Sequence, residues 1–262
     1  MRNKRDKLTF TNARMFSLVM QNEDICKGLL ERILGREIDN LAIENKYDLS
    51  TEETIVAAIR AKGVRLDVKF TDDNNLYCIE MQVGVEKSIA QRSGYYHSVL
   101  TVSDMGEGDN YEDMKPTYVI FLCCYDPMKM GEPVYSFEMY DRAKDLSLGE
   151  KRYTILLNSK AKDMPSELRD LFIYMNKGIV TEGDELIERI DENVRKYADG
   201  KVGAAIMEWE YEYNQLIDAL RKEISELKES KAKDEETIAD LKEENRRLRE
   251  QKGETETYRN DR

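Results

Sequence analysis

Apolar side chains recur at helical spacing between residues 12 and 35, at Phe16, Val19, Met20, Ile25, Leu29, Leu30, Ile33 and Leu34, and the run stops at Gly35. That spacing predicts a helix or a broken pair of helices. After a polar stretch the period shortens to two: RLDVKF at 65–70, the turn-forming TDDNN at 71–75, then LYCIEMQV at 76–83. Alternation on both sides of a turn cluster predicts a β-hairpin. Residues 85–105 read as a helix interrupted only by Gly94, and TYVIFLCCYD at 117–126 is the continuous apolar run of a strand buried on both faces. Two further strands are expected at VYSFEMY and RYTILLNS, and beyond Pro165 the pattern is helical. The body is therefore expected to be mixed α/β, with helices before and after the sheet.

Beyond residue 207 the repeat becomes seven. Ile217, Ile224, Lys231, Ile238 and Asn245 fall at one core position; Leu220, Leu227, Asp234, Leu241 and Leu248 fall at the other. Such a heptad predicts a coiled coil, and Ile at a with Leu at d favours a parallel two-stranded one. A long helix that folds back or stays solvated is the other reading, since Lys231 and Asp234 weaken the middle layer. The expected organisation is a core over 1–160, a helical extension over 161–206 and a coiled-coil tail over 207–262.

Charge alters this picture in one respect. The 262 residues carry 41 Lys and Arg against 53 Asp and Glu, a net of −12. That argues against a protein that coats nucleic acid generically, because such binding comes from cations neutralising phosphates. Local basic surface remains possible: Arg2, Lys4, Arg5, Lys7 and Arg14 share a short N-terminal arm with Asp6 alone. The four cysteines sit in apolar runs, and with a single histidine, His97, a Cys/His zinc site has almost no ligands. With no apolar run of membrane-spanning length and no secretory h-region, a cytoplasmic protein with no membrane partner is expected. Gly-rich phosphate loops and GxSxG elbows are absent.

The hairpin carries the candidate chemistry. A turn centred on Asp73 and Asn74 pairs Asp67 with Glu80 across the two strands. In that register Leu66, Val68 and Phe70 share one face with Met81, Ile79 and Tyr77. Arg65, Asp67 and Lys69 share the other face with Gln82, Glu80 and Cys78. Two carboxylates directly opposite repel each other. Three remedies are open: an ion pair with Arg65 or Lys69, a proton held by one carboxylate, or a divalent cation such as Mg²⁺. On the next helix Arg92 and Tyr96 are four apart and share a face, with Tyr95 beside them.

RLDVKF, the turn, YCIEMQ, then QRSGYYHS and TYVIFLCCYDP together resemble the PD-(D/E)XK nuclease family transposases, the recombination-promoting nuclease family, over roughly residues 10–180. The resemblance implies a restriction-endonuclease-like fold, a mixed sheet flanked by helices, and metal-dependent cleavage of DNA phosphodiesters with Mg²⁺ or Mn²⁺. Carried over by position, Asp67 and Glu80 are the metal ligands, with the backbone carbonyl of Met81 as another. Gln82 stands where the motif has lysine, so it orients water without supplying charge. Arg92 supports the site or holds a phosphate, and Arg65, Lys69 and Tyr96 are the expected DNA contacts. Glu31, or next Glu23, is the candidate for a further acid from the first helix, and His97 is a possible acid or base.

The expectation is a Mg²⁺-dependent DNA endonuclease that dimerises through its C-terminal coiled coil. The alternative is an interaction protein that keeps the nuclease fold and has lost turnover.

Overall fold

The computed structural model describes residues 8–43, 51–60 and 68–260. The chain divides into two compact units, Met1–Met207 and Glu208–Arg262.

The first unit is built on the hairpin. Strands β2 (Val68–Thr71) and β3 (Leu76–Gln82) pair antiparallel, with Val68 opposite Ile79 and Phe70 opposite Tyr77, which is the register expected from the alternation. The turn is closed by the buried Asp72. Its Oδ1 accepts from the backbone N–H of Asn74 at 2.8 Å and of Asn75 at 2.6 Å, while its Oδ2 accepts from the Tyr77 hydroxyl at 2.6 Å. A side-chain carboxylate that satisfies two turn amides fixes loop length, and loop length fixes register.

From β3 the sheet grows by parallel pairing, first to β4 (Thr117–Cys123) and then to β8 (Arg152–Asn158). Antiparallel edges close it: β5 (Val134–Phe137) beside β8 and the short β1 (Ala42–Ile43) beside β2. The order is β1-β2-β3-β4-β8-β5. The strand expected over VYSFEMY is interrupted after Phe137 and resumes as β6 (Tyr140–Asp141), which pairs with β7 (Leu146–Ser147) in a separate two-stranded ribbon.

Both faces of the central strands are covered, as the apolar run at 117–126 requires. One face takes α4 (Ile89–Asp104). Tyr96 and Leu100 from this helix pack with Cys78, Val119, Phe121 and Leu156. His97, also buried, spans two strands, with Nδ1 2.7 Å from Thr117 Oγ1 and Nε2 3.0 Å from Thr154 Oγ1. On the opposite face Tyr77, Tyr118 and Tyr153 stack in a row across three strands, with centroids 5.3 and 4.9 Å apart. Arg36 caps that row, donating to the Tyr77 hydroxyl at 3.0 Å and lying 5.3 Å from the Tyr118 ring centroid.

The N-terminal apolar run is a broken pair: α1 (Ala13–Val19) and α2 (Glu23–Leu34). Asn12 and Asn22 each accept two backbone N–H groups at the helix starts, and Gly35 takes the left-handed conformation, φ 65°, that ends α2. The break between the helices thus coincides with a second capping residue. Ile25, Leu29 and Leu30 are fully buried, each contributing roughly 1.5–3 kcal/mol of transfer free energy before entropy is charged. Two C-terminal helices, α5 (Ser166–Lys177) and α6 (Glu185–Ala198), pack on this pair, and Arg32 clamps α2 to the start of α6 with two 2.7 Å hydrogen bonds to Asp184. The polar stretch ahead of the hairpin holds another helix, α3 (Glu52–Arg60), with Glu52 and Glu53 in its first turn and Ile55 and Ile59 buried.

Helix α7 (Gly200–Asn260) begins in the first unit, where Val202, Ala205 and Ile206 are buried. In the second unit, taken by itself, the heptad side chains lie along one side of a helix and stay exposed: Ile224 at 51%, Leu227 at 62%, Leu241 at 52%. No helix among the described residues is long and apolar enough to cross a membrane.

Candidate active site

Strand β3 presents Leu76, Cys78, Glu80 and Gln82 to the same side, because successive side chains alternate. The first two enter the core under α4; the last two reach the edge of that packing and open into a cleft of about 470 Å³. The cleft is lined by Glu80, Met81, Gln82, Lys69 of β2, Arg92, Tyr95, Tyr96 and Val99 of α4, and Ala13 and Phe16 of α1.

Glu80 is 3% exposed. Its Oε2 accepts from the Gln82 amide at 2.9 Å and from Arg92 Nη2. Arg92 is held from several sides. It donates to the Tyr96 hydroxyl at 2.9 Å, lies over the Tyr96 and Phe121 rings at 5.6 and 5.8 Å, and has Glu86 Oε2 3.9 Å from its other terminal nitrogen. Burial works against its charge, but the hydrogen bond to Tyr96 and the field of Glu80 outweigh that and leave its pKa above the usual value. Glu86 is drawn below the ordinary carboxylate range, chiefly by hydrogen bonds from Ser88.

Lys69 stands opposite Cys78 on β2, is only 8% exposed, and lines the same cleft. Its ammonium makes no ion pair or hydrogen bond with any described residue. A cation nine-tenths buried and directed into a cleft, with no partner among the described residues, is suited to an anion brought in from outside.

Asp67 and Arg65 lie outside the described residues, as do Arg2, Lys4, Arg5 and Lys7 of the expected basic arm. Arg14, counted with that arm, is instead buried in α1 and directs Nη1 to the Ile59 carbonyl at 3.5 Å. Tyr96, expected to contact DNA, keeps its ring in the core beside Phe121 and offers the cleft little beyond the hydroxyl that Arg92 uses. The aromatic at the mouth is Tyr95, 65% exposed. Glu31 accepts from Ile38 N–H at 3.0 Å and pairs with Lys27 at 3.7 Å, so it serves the end of α2; neither it nor Glu23 lines the cleft. His97 is no acid or base for this site: both ring nitrogens are engaged by threonines, and burial, with the nearby Arg152, pushes its pKa down to about 4.

Sequence reasoning missed Phe121 as the platform under Arg92, Glu86 as its second carboxylate, and Ala13 and Phe16 as a wall. Phe121 sits inside an unbroken apolar run, and nothing in a one-dimensional pattern assigns α1 to the cleft.

The oxygen donors here are the Glu80 carboxylate, the Gln82 amide oxygen and the Met81 carbonyl. Such a set suits a hard cation of the Mg²⁺ or Mn²⁺ kind rather than zinc. All four cysteines are free, three of them buried, and burial raises the Cys26, Cys123 and Cys124 thiols. No cluster of three or more His, Cys, Asp or Glu among the described residues could hold a metal unaided. Among the described residues Glu80 is the one carboxylate that lines the cleft, and Arg92 holds one of its oxygens.

A larger cavity, about 670 Å³, lies by Leu8, Thr11, Tyr174 and Asp191. Of its two acids, Asp191 is already paired, with Arg195 at 2.6 Å and with the Tyr174 hydroxyl at 3.0 Å, and Asp199 caps the end of α6. A cavity of about 740 Å³ by Gly28, Arg32 and Asp184 is larger still, so size does not choose the site; chemistry points to Glu80.

Neither the curated proteins nor the solved structures contain a significant match to this chain. The family model for the PD-(D/E)XK nuclease family transposase matches residues 8–182, a span that runs from the N-terminal segment through the hairpin, α4 and the whole six-stranded sheet to the loop after α5. The mixed sheet flanked by helices is the restriction-endonuclease-like arrangement, and nucleases of this group generally use divalent metal ions and act on DNA. The match takes in well over half of the chain, and the chain belongs to the PD-(D/E)XK nuclease transposase family.

Proposed function

We propose that this protein is a divalent-cation-dependent DNA endonuclease that hydrolyses phosphodiester bonds in the cleft at Glu80. The observation that carries this reading is the meeting of Glu80, Gln82, Lys69 and Arg92 in one opening, contributed by two strands and a helix. Asp67 and Glu80, with the Met81 carbonyl, would hold Mg²⁺ or Mn²⁺. When bound, such an ion lowers the pKa of a water and offsets phosphate charge.

The chain's own residues divide the remaining work. Gln82 fixes the position of the attacking water by hydrogen bonding and carries no charge. Lys69 supplies the positive charge absent from position 82, stabilising the charge that develops on the phosphate. With a cation held at Glu80, Arg92 would be free to serve the phosphate or Glu86, and Tyr96 would steady its guanidinium. Arg65 adds a backbone phosphate contact, and Tyr95 offers a flat face at the cleft mouth. Four free thiols suit a reducing cytoplasm.

Plasmid nicking with Mg²⁺ or Mn²⁺ tests the assignment, comparing wild type with Asp67→Ala and the isosteric Glu80→Gln. Losses of about a hundredfold or more are expected from removing a ligand of the essential ion; undiminished activity in either variant would sink it. The Arg92–Glu80 pair favours a second reading, a scaffold whose arginine has permanently taken the metal's place. Calorimetric titration separates the two, since no cation binding at millimolar concentration supports the scaffold.

A further inference from the structure

The exposed seam of α7 has charges on its flanks as well as apolar residues along its centre. We propose that Glu208–Arg262 pairs with a second copy of the chain as a parallel, in-register two-stranded coiled coil, oriented by Glu223 and Glu244 meeting Lys228 and Arg249 of the second copy. This does not depend on the nuclease reading.

The seam from Ile217 to Leu248 spans roughly 48 Å at 1.5 Å per residue, and Leu220, Ile224, Leu227, Ile238, Leu241 and Leu248 along it are 43 to 62% exposed. An apolar stripe of that length along a helix requires a partner. Several charges of the helix are paired within the chain: Lys222 with Glu226 at 3.8 Å, Arg246 and Arg247 with Glu243 at 2.8 and 3.3 Å, and, beside the seam, Arg221 with Asp218 at 3.4 Å and Glu235 with Lys231 at 3.7 Å. Glu223, Lys228, Glu244 and Arg249, at the positions flanking the seam, make no ion pair with any described residue.

A parallel pair brings residue g of one heptad to residue e of the partner's next heptad. In this sequence those combinations are Glu223 with Lys228 and Glu244 with Arg249, and none of the five joins like charges. Asn245 meets Asn245 of the second copy, a match that fixes register. Antiparallel pairing with the same apolar layers joins Lys231 to Asp234 in the middle. Its flanks, however, place Glu223 beside Glu244 and Arg221 beside Lys242, and Asn245 faces Leu220. The parallel form sets Lys231 against Lys231 and Asp234 against Asp234, which keeps the association moderate, and the antiparallel form also gains Lys228 beside Glu235; four flanking attractions with no flanking repulsion, and a paired Asn, still decide for the parallel form.

Light scattering and sedimentation on the full-length protein test this. A dimer is expected at about 50 µM, with Leu227→Asp monomeric; a monomeric wild type, or a dimer that survives Leu227→Asp, overturns the proposal. Orientation has its own sign. In the parallel form Glu223→Lys weakens dimerisation about tenfold, by turning two flanking attractions into repulsions, and adding Lys228→Glu restores it. If Glu223→Lys instead tightens the dimer, the chains are antiparallel and the proposed orientation is wrong.

Discussion

Lys69 shows how much a single side chain depends on its third dimension. In the sequence it shares a strand face with Asp67 and reads as an ion-pair partner for the carboxylates or as a DNA contact; in the structure it is buried, has no partner among the described residues, and faces the same cleft as Glu80. Gln82, by contrast, is legible at once, since it follows a carboxylate by two on a strand and must share its face. Their proximity yields a prediction. Lys69→Met should lower cleavage by about a hundredfold, comparable to loss of one preorganised electrostatic contact, with a much smaller effect on DNA affinity. Gln82→Lys in the Lys69→Met background should restore a large part of the rate, because it returns a cation to the cleft from the neighbouring strand. Failure of that rescue, with the fold intact by circular dichroism, would mean that Lys69 acts through position rather than charge.

At the scale of elements, the hairpin, the buried strand β4 and helix α4 are readable because each carries a clear period, and the TDDNN turn alone suffices to set the register from Val68 to Leu76. Helix α3 is not readable: only Ile55 and Ile59 mark its buried side among acids and alanines. The break after Phe137 is equally hidden, since VYSFEMY suits one long strand. Helix α4 is tied to β4 and β8 through His97, and this tether has a pH signature. The folded state holds His97 neutral to about pH 4, whereas an unfolded chain protonates it near 6.5. Its contribution is therefore whole above pH 6.5 and is lost as pH falls toward 4, with a span on the order of 2–3 kcal/mol. Urea midpoints at pH 7, 5.5 and 4.5 should show wild type losing its advantage over His97→Gln as the solution is acidified. A difference that stays constant across those three values would contradict a neutral buried ring.

For the whole molecule, the net charge of −12 limits how DNA is held. The segment from Met207 onward accounts for −5 of it, so the body is acidic as well, and the cations placed in the cleft by the structure are Lys69 and Arg92. Counting Arg65 with them, the proposed site would neutralise about two to four phosphates, so affinity for a short duplex should fall roughly 10- to 150-fold between 50 and 200 mM salt. Fluorescence anisotropy on a duplex long enough for one site measures this slope, and a fall beyond a thousandfold would require a further basic surface. The parallel pairing of β3 with β4 and β4 with β8 also governs when the cleft comes into being. The β2–β3 hairpin closes through four turn residues, whereas Leu76 meets Thr117 and Thr117 meets Arg152 only after long crossovers have been threaded. Non-local strand pairing is slow because loop entropy is lost before contacts repay it. Arg92 stands only twelve residues beyond Glu80, on the first of those crossovers, so the pair is local in sequence while the sheet that backs it is not, and the cleft keeps its walls only in a chain that has paired β3 with β4.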